Sequence, residues 1–198
     1  NVPLSGLGRV LKRSLDLAVA GLALVLLAPL LALIALAVLA GDGRPVLYGQ
    51  VRLGRDGRRF TIRKFRTMRR DAELAGAGWS QPDDARRTRL GGFLRASSLD
   101  ELPQLWNVLT GEMSLVGPRP ERPEYATGFA ASIPRYFERH RVRSGITGWA
   151  QVNGLRGDTP IEERTRYDLF YVENWSLAFD LKILWLTLRA VLSRKNAY

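Results

Sequence analysis

The chain has 198 residues, 46% of them hydrophobic and 25% charged, with no cysteine, one histidine and a formal net charge of +11. That composition allows one domain with a real core and excludes an intrinsically disordered chain. It also excludes a disulfide framework and a thiolate metal site. The lone His140 cannot build a histidine-rich site, so a divalent metal here would be oxygen-bound magnesium or manganese.

So large a basic excess seeks anions: nucleic acid, anionic lipid or a phosphorylated substrate. Residues 51–95 carry 13 Lys and Arg against 5 Asp and Glu. This block follows directly on the most apolar part of the chain, which favours lipid or phosphate over nucleic acid.

Residues 1–11 read as a linker. Arg9, Lys12 and Arg13 then introduce Leu17–Ala40, 24 residues without a charge. As a helix this stretch would be roughly 36 Å long, enough to span a bilayer. Pro29 sits in its middle, where it removes a backbone donor. Basic residues flank both ends, whereas a simple span should favour one. A helix that enters, breaks at Pro29 and returns to the same face accounts for both features; a kinked transmembrane helix is the alternative. Asp16 is placed for a local pair with Arg13.

Pro45–Met68 predicts a β-hairpin closed by Arg55-Asp56-Gly57. Lys64 and Arg66 are two apart, hence on one strand face, where they form a candidate phosphate clamp. Residues 69–87 predict a short helix and a polar loop containing Asp83 and Asp84. Thr88–Ala96 predicts a helix despite Gly91-Gly92.

Ser97–Pro120 holds the densest chemistry. Ser98-Leu99-Asp100-Glu101 matches a capping box with Ser98 as N-cap, although Pro103 fits better with Asp100 as the cap. Both readings put Asp100 and Glu101 at the positive end of a helix, which favours their ionised forms. Met113–Gly117 predicts a short strand, and Pro118 and Pro120 fix the backbone around Arg119, a geometry suited to bidentate phosphate binding. Glu121–Val142 predicts one or two helices interrupted near Pro134, with His140 at the surface. Ser144–Asp158 has the composition of a ligand loop, with glycines for close approach and Trp149, Gln151 and Asn153 as side-chain contacts. Ile161–Trp175 predicts an amphipathic helix. Leu177–Arg194 predicts a very apolar helix interrupted by Asp180, Lys182 and Arg189, lying at a membrane interface or against the first helix.

KRSLD at Lys12–Asp16, KFRTM at Lys64–Met68, LDELPQLWNVLTGEMSLVGPRP at Leu99–Pro120 and GITGWAQVNGLRGD at Gly145–Asp158 occur in the order found in the bacterial sugar transferases. The sequence resembles that family, the monotopic phosphoglycosyl transferases acting on polyprenyl phosphate, from Lys12 to Tyr198. The family usually has Ser-Pro at the helix break; here it is Ala28-Pro29. The C-terminal stretch resembles the long-form members, so the chain reads as the catalytic domain of a larger enzyme of the glucose-1-phosphate type.

The resemblance implies an α+β, mainly helical monotopic membrane protein, with a re-entrant helix over residues 12–44 and a catalytic domain over 45–198 on the cytoplasmic face of the bacterial inner membrane. It implies transfer of a sugar-1-phosphate from a UDP-sugar to undecaprenyl phosphate, with no nucleic-acid partner. Glucose comes first, with galactose or an N-acetyl sugar as alternatives. Asp100 would be the nucleophile, Glu101 would hold Mg²⁺, with Asp100, or assist the incoming phosphate, and Lys64, Arg66 and Arg119 would bind phosphate. Gly148, Gln151, Asn153 and Arg156 would contact the nucleotide sugar. Self-association as a homo-oligomer is left open. A non-enzymatic, anionic-lipid-binding membrane module is the rival reading.

Overall fold

In the computed structural model, residues 6–72, 84–155, 157 and 159–192 are described. The loop containing Asp83 and the site candidate Arg156 lie outside these residues. Helix α1 (Gly6–Asp42) leads into a hairpin of β1 (Leu47–Leu53) and β2 (Arg59–Phe65), then α2 (Arg89–Ala96), α3 (Gln104–Thr110), β3 (Ser114–Val116), α4 (Pro123–Ser132), β4 (Gly145–Thr147), α5 (Trp149–Val152), α6 (Ile161–Glu173) and α7 (Leu177–Leu192). The described residues are mostly helical, with one small antiparallel hairpin, a two-stranded parallel pair and one long apolar helix near the N-terminal end.

Leu- and Ala-rich sequence with no internal charge is strongly helix-forming, and α1 stays helical across Pro29. The break expected there is thus not an interruption of the helix. Gly6–Leu11, expected as linker, supplies its first turns. The two halves of α1 pack separately. Ala20, Ala23 and Leu24 join the main core with Phe60, Ile62, Val108, Met113 and Ile183. Ile34 and Val38 join a second cluster with Phe65 and Leu94. Between these anchors Val25, Leu26 and Leu33 are exposed.

Both ends of α1 are also tied to the body by polar groups. Lys12 Nζ lies 2.6 Å from Asp180 Oδ2 and 3.0 Å from the Val116 carbonyl. Arg13 does not pair with Asp16. It donates to the Val108 and Leu109 carbonyls at 2.6 and 2.8 Å, capping the negative end of α3. Asp16 instead accepts from Ser114 Oγ and the Leu115 amide, both at 3.0 Å. Asp180, wholly buried, also accepts from Tyr171 and Trp175, so α7 packs through the residue that looked like an interruption.

The hairpin has the register Tyr48↔Lys64, Gln50↔Ile62 and Arg52↔Phe60. Its turn places Asp56 and Gly57 at φ 55° and 72°, which Asp and Gly tolerate better than most residues. Helix α3 is stapled to the other edge of β2 by Asn107, which accepts from the Arg63 amide at 3.1 Å and donates to the Thr61 carbonyl at 2.8 Å. Helix α2 crosses the chain at Thr67 so closely that a Cβ on Gly91 would lie 2.0 Å from the Thr67 carbonyl oxygen.

Candidate active site

Asp100 and Glu101 lie in a 3-10 turn, Leu99–Glu101, ahead of α3. Neither expected capping scheme is present. Ser98 has φ 57° and makes no side-chain capping bond, and Pro103 immediately precedes α3. A left-handed Ser98 turns the chain sharply between α2 and α3. The carboxylates therefore owe their placement to this turn.

Glu101 sits between two cations. Lys64 Nζ approaches its Oε1 at 2.6 Å and Arg119 Nη2 at 2.7 Å, with Arg119 Nη1 3.5 Å from Oε2. Lys64 reaches Glu101 because Asn107 fixes β2 against α3. Arg119 reaches it from the Pro118–Pro120 segment on the other side. Burial raises the Glu101 carboxyl, but Arg119 and Lys64 outweigh it and hold it well below the usual carboxylate range. Glu101 in turn raises Arg119, while burial lowers Lys64.

Asp100 is in a different state. It is 6% exposed, and none of the described residues donates a hydrogen bond to its carboxylate. Burial pushes its pKa up; Lys64 opposes this and the Glu101 charge reinforces it. Two adjacent carboxylates thus have opposite shifts: one is neutralised by cations, the other is a desolvated oxygen without a donor. That separation of roles is characteristic of acid–base and nucleophilic sites.

The hairpin face bearing Lys64 carries three groups that sequence reasoning missed. Tyr48 Oη accepts from Gln50 Nε2 at 3.1 Å, Gln50 Oε1 accepts from Arg52 Nη2 at 2.5 Å, and Arg52 Nη1 donates to the Pro120 carbonyl at 3.2 Å. Burial, then the charge of Arg119, brings the Arg52 guanidinium down to about 10. The period-2 pattern of β1 was the available signal, since it puts 48, 50 and 52 on one face.

Other candidates are placed elsewhere. Arg66 lies just beyond β2, and its Nη2 donates to the Asp42 and Gly43 carbonyls at 2.6 and 2.7 Å, closing the end of α1. It does not clamp with Lys64. The glycines of the 144–158 segment serve backbone packing: a Cβ on Gly145 or Gly148 would fall 2.1 or 2.3 Å from Gly117 backbone atoms. Gln151 donates to the Ile146 carbonyl and Asn153 to the Trp149 carbonyl, both within their own segment. Through the Gly117 contact that segment supports Arg119. His140 is buried, and burial, then Arg139, brings its pKa down to about 4.

Among the described residues no cluster of three or more acidic or histidine side chains is present. The donor set suits magnesium held through one or two carboxylates and completed by substrate phosphate, and does not suit a closed protein cage.

The bacterial sugar transferase family model matches residues 7–194, and the chain belongs to that family. Among relatives, it is 45% identical over 202 residues to the UDP-glucose:undecaprenyl-phosphate glucose-1-phosphate transferase of Escherichia coli K12, covering 100% of this chain and 44% of that protein. It is 40% identical over 185 residues to the UDP-N-acetylgalactosamine-undecaprenyl-phosphate N-acetylgalactosaminephosphotransferase of Aeromonas hydrophila, covering 92% and 44%. It is 43% identical over 205 residues to the UDP-galactose-lipid carrier transferase of Erwinia amylovora, covering 96% and 42%. The chain thus spans less than half the length of these three relatives.

Proposed function

We propose that this chain transfers a sugar-1-phosphate, glucose-1-phosphate first, from a UDP-sugar to undecaprenyl phosphate. The observation that carries the reading is the pair of opposite carboxylates: Asp100 desolvated and without a donor, Glu101 clamped by Lys64 and Arg119.

In the first step an Asp100 oxygen attacks the β-phosphorus of the UDP-sugar. The bond from that phosphorus to the bridging oxygen breaks, and the electron pair leaves with UMP. In the second step a phosphate oxygen of undecaprenyl phosphate attacks the same phosphorus, and Asp100 departs as the carboxylate. Dividing the transfer in this way avoids bringing two bulky phosphate substrates together at once. Lys64 and Arg119, which both contact Glu101, would bind the transferred phosphoryl oxygens. As they move onto phosphate, Glu101 becomes available to hold Mg²⁺ or assist the incoming phosphate. Bound Mg²⁺ would neutralise diphosphate charge.

The membrane reading rests on α1 and α7. Both ends of α1 are tied to one body, by Lys12 to Asp180 and by Arg66 to the Asp42 carbonyl, while its middle is apolar and exposed. This supports a helix that dips into one leaflet and returns, keeping the site on the cytoplasmic face. Leu181, Trp185 and Leu188 form an exposed apolar stripe on α7, suited to an interfacial position.

The test offers UDP-glucose, UDP-galactose and UDP-N-acetyl sugars with undecaprenyl phosphate and Mg²⁺, following UMP and lipid product. Glucose should give the highest kcat/KM. Absence of UMP with every sugar would sink the enzymatic reading; preference for another sugar would overturn only the choice of glucose.

A further inference from the structure

The segment that carries Arg119 is gripped along its whole length. The Pro118 carbonyl accepts from the Gly145 amide at 3.0 Å and the Glu121 carbonyl from the Leu53 amide at 2.9 Å. Between them, the Arg119 carbonyl accepts from Arg139 Nη2 at 3.0 Å and the Pro120 carbonyl from Arg52 Nη1 at 3.2 Å. Four consecutive carbonyls thus have four separate donors.

Arg139 is the unusual member. It is 1% exposed, and it is a full charge placed in the core. Its Nε and Nη2 lie 3.0 and 2.6 Å from Asp168 Oδ2 on α6, and its Nη1 lies 3.1 Å from Tyr136 Oη. Nη2 therefore serves Asp168 with one hydrogen and the Arg119 carbonyl with the other. A buried ion pair is a weak way to gain stability, because the desolvation cost is large. What this one accomplishes is local: it anchors the backbone of Arg119, whose guanidinium reaches Glu101.

We propose that Arg139 is a positioning residue for Arg119. By holding the Arg119 carbonyl between two prolines of fixed φ, it sets the direction in which the Arg119 side chain leaves the backbone. It thereby places that guanidinium for the transferred phosphate, a role that rests on the functional reading above. Asp168 orients Arg139, and α6 is the fixed support.

Arg139→Lys tests this. It retains a cation opposite Asp168, but a single nitrogen at the end of a different stem cannot reproduce the fork. Misplacement of a phosphate-binding group is expected to lower kcat/KM by about ten- to a hundredfold. The same change is then made in an Arg119→Ala background. If Arg139 acts through Arg119, the further loss there is under about threefold. An equal loss in both backgrounds overturns the proposal, since a general effect on the fold would not depend on Arg119.

Backbone hydrogen exchange is measured on the same full-chain samples in detergent. The Leu53 and Gly145 amides, which donate to the Glu121 and Pro118 carbonyls, should exchange faster in Arg139→Lys while those of α6 do not change. If the wild-type chain releases no UMP, the functional reading fails by itself, and exchange decides the positioning claim: unchanged protection at those two amides overturns it. Where UMP is released, the kinetic cycle decides. Should Arg139→Lys not fold, Arg139→Gln combined with Asp168→Asn, which leaves no unpaired buried charge, goes through the same two measurements.

Discussion

Arg119 Nη2 lies 2.7 Å from Glu101 Oε1, and that one contact joins two segments separated by 18 residues into a single site. With Lys64 on the same oxygen, Glu101 is held ionised and its neighbour Asp100 is left as the desolvated carboxylate. The catalytic predictions follow from this division.

The pH dependence of transfer should expose Asp100. A nucleophilic carboxylate must be ionised, and burial raises Asp100, so kcat/KM should fall as pH falls through a value above the ordinary aspartate range. Lys64 favours the ionised form of Asp100. In Lys64→Gln the acid limb should therefore move to higher pH, alongside a loss of rate. A limb that stays in place or moves down would remove Lys64 from the account.

Asp100→Asn should abolish transfer, by about a thousandfold or more, yet stabilise the protein at neutral pH. The sign follows from linkage. A carboxyl raised in the folded state carries no penalty below its unfolded pKa and a full penalty once pH exceeds its folded pKa. The gain in Tm over wild type should be largest at neutral pH and vanish in acid. Thermal unfolding at several pH values checks this, and a lower Tm at neutral pH would contradict it.

Two adjacent glycines in α2 should behave oppositely. A Cβ on Gly92 meets nothing within 4 Å, so Gly92→Ala should add about 0.5–1 kcal/mol from reduced unfolded-state entropy and better helix propensity. A Cβ on Gly91 meets the Thr67 backbone, and Gly91→Ala should cost about 3 kcal/mol or prevent folding. Denaturant midpoints of the two variants separate the cases.

The absence of cysteine makes membrane topology directly measurable. Arg9→Cys and Arg58→Cys, both exposed and on either side of the apolar stretch, should react with an impermeant maleimide from the same face of sealed vesicles. Reaction from opposite faces would refute re-entry and leave a transmembrane helix.

Local patterns were legible in the sequence because they are written in consecutive residues. The hairpin follows from its β-rich runs and Asp-Gly turn, the long helix from 24 uncharged residues, and the family from motifs in a fixed order. The carboxylate pair was visible for the same reason, and so was Arg119 between its prolines. Polar partners chosen across the chain were not legible. Arg66 looked like a companion of Lys64 but caps α1, because one residue beyond the strand the pleat no longer sets its direction. Asp16 and Arg13 are close in sequence yet bond to different elements, since buried backbone donors and acceptors compete for them. The glycines of residues 145–148 looked like a ligand loop, and only packing shows that their close approach is to Gly117. Arg139 and Asp168 are 29 residues apart and carry no local signal; burial of a charge becomes informative only when its partners are seen. The sequence by itself determined the long helices, the hairpin and the carboxylate pair, which short-range propensity and periodicity encode. Tertiary structure alone decided which cations meet which carboxylates, because desolvation and donor supply depend on distant segments brought together.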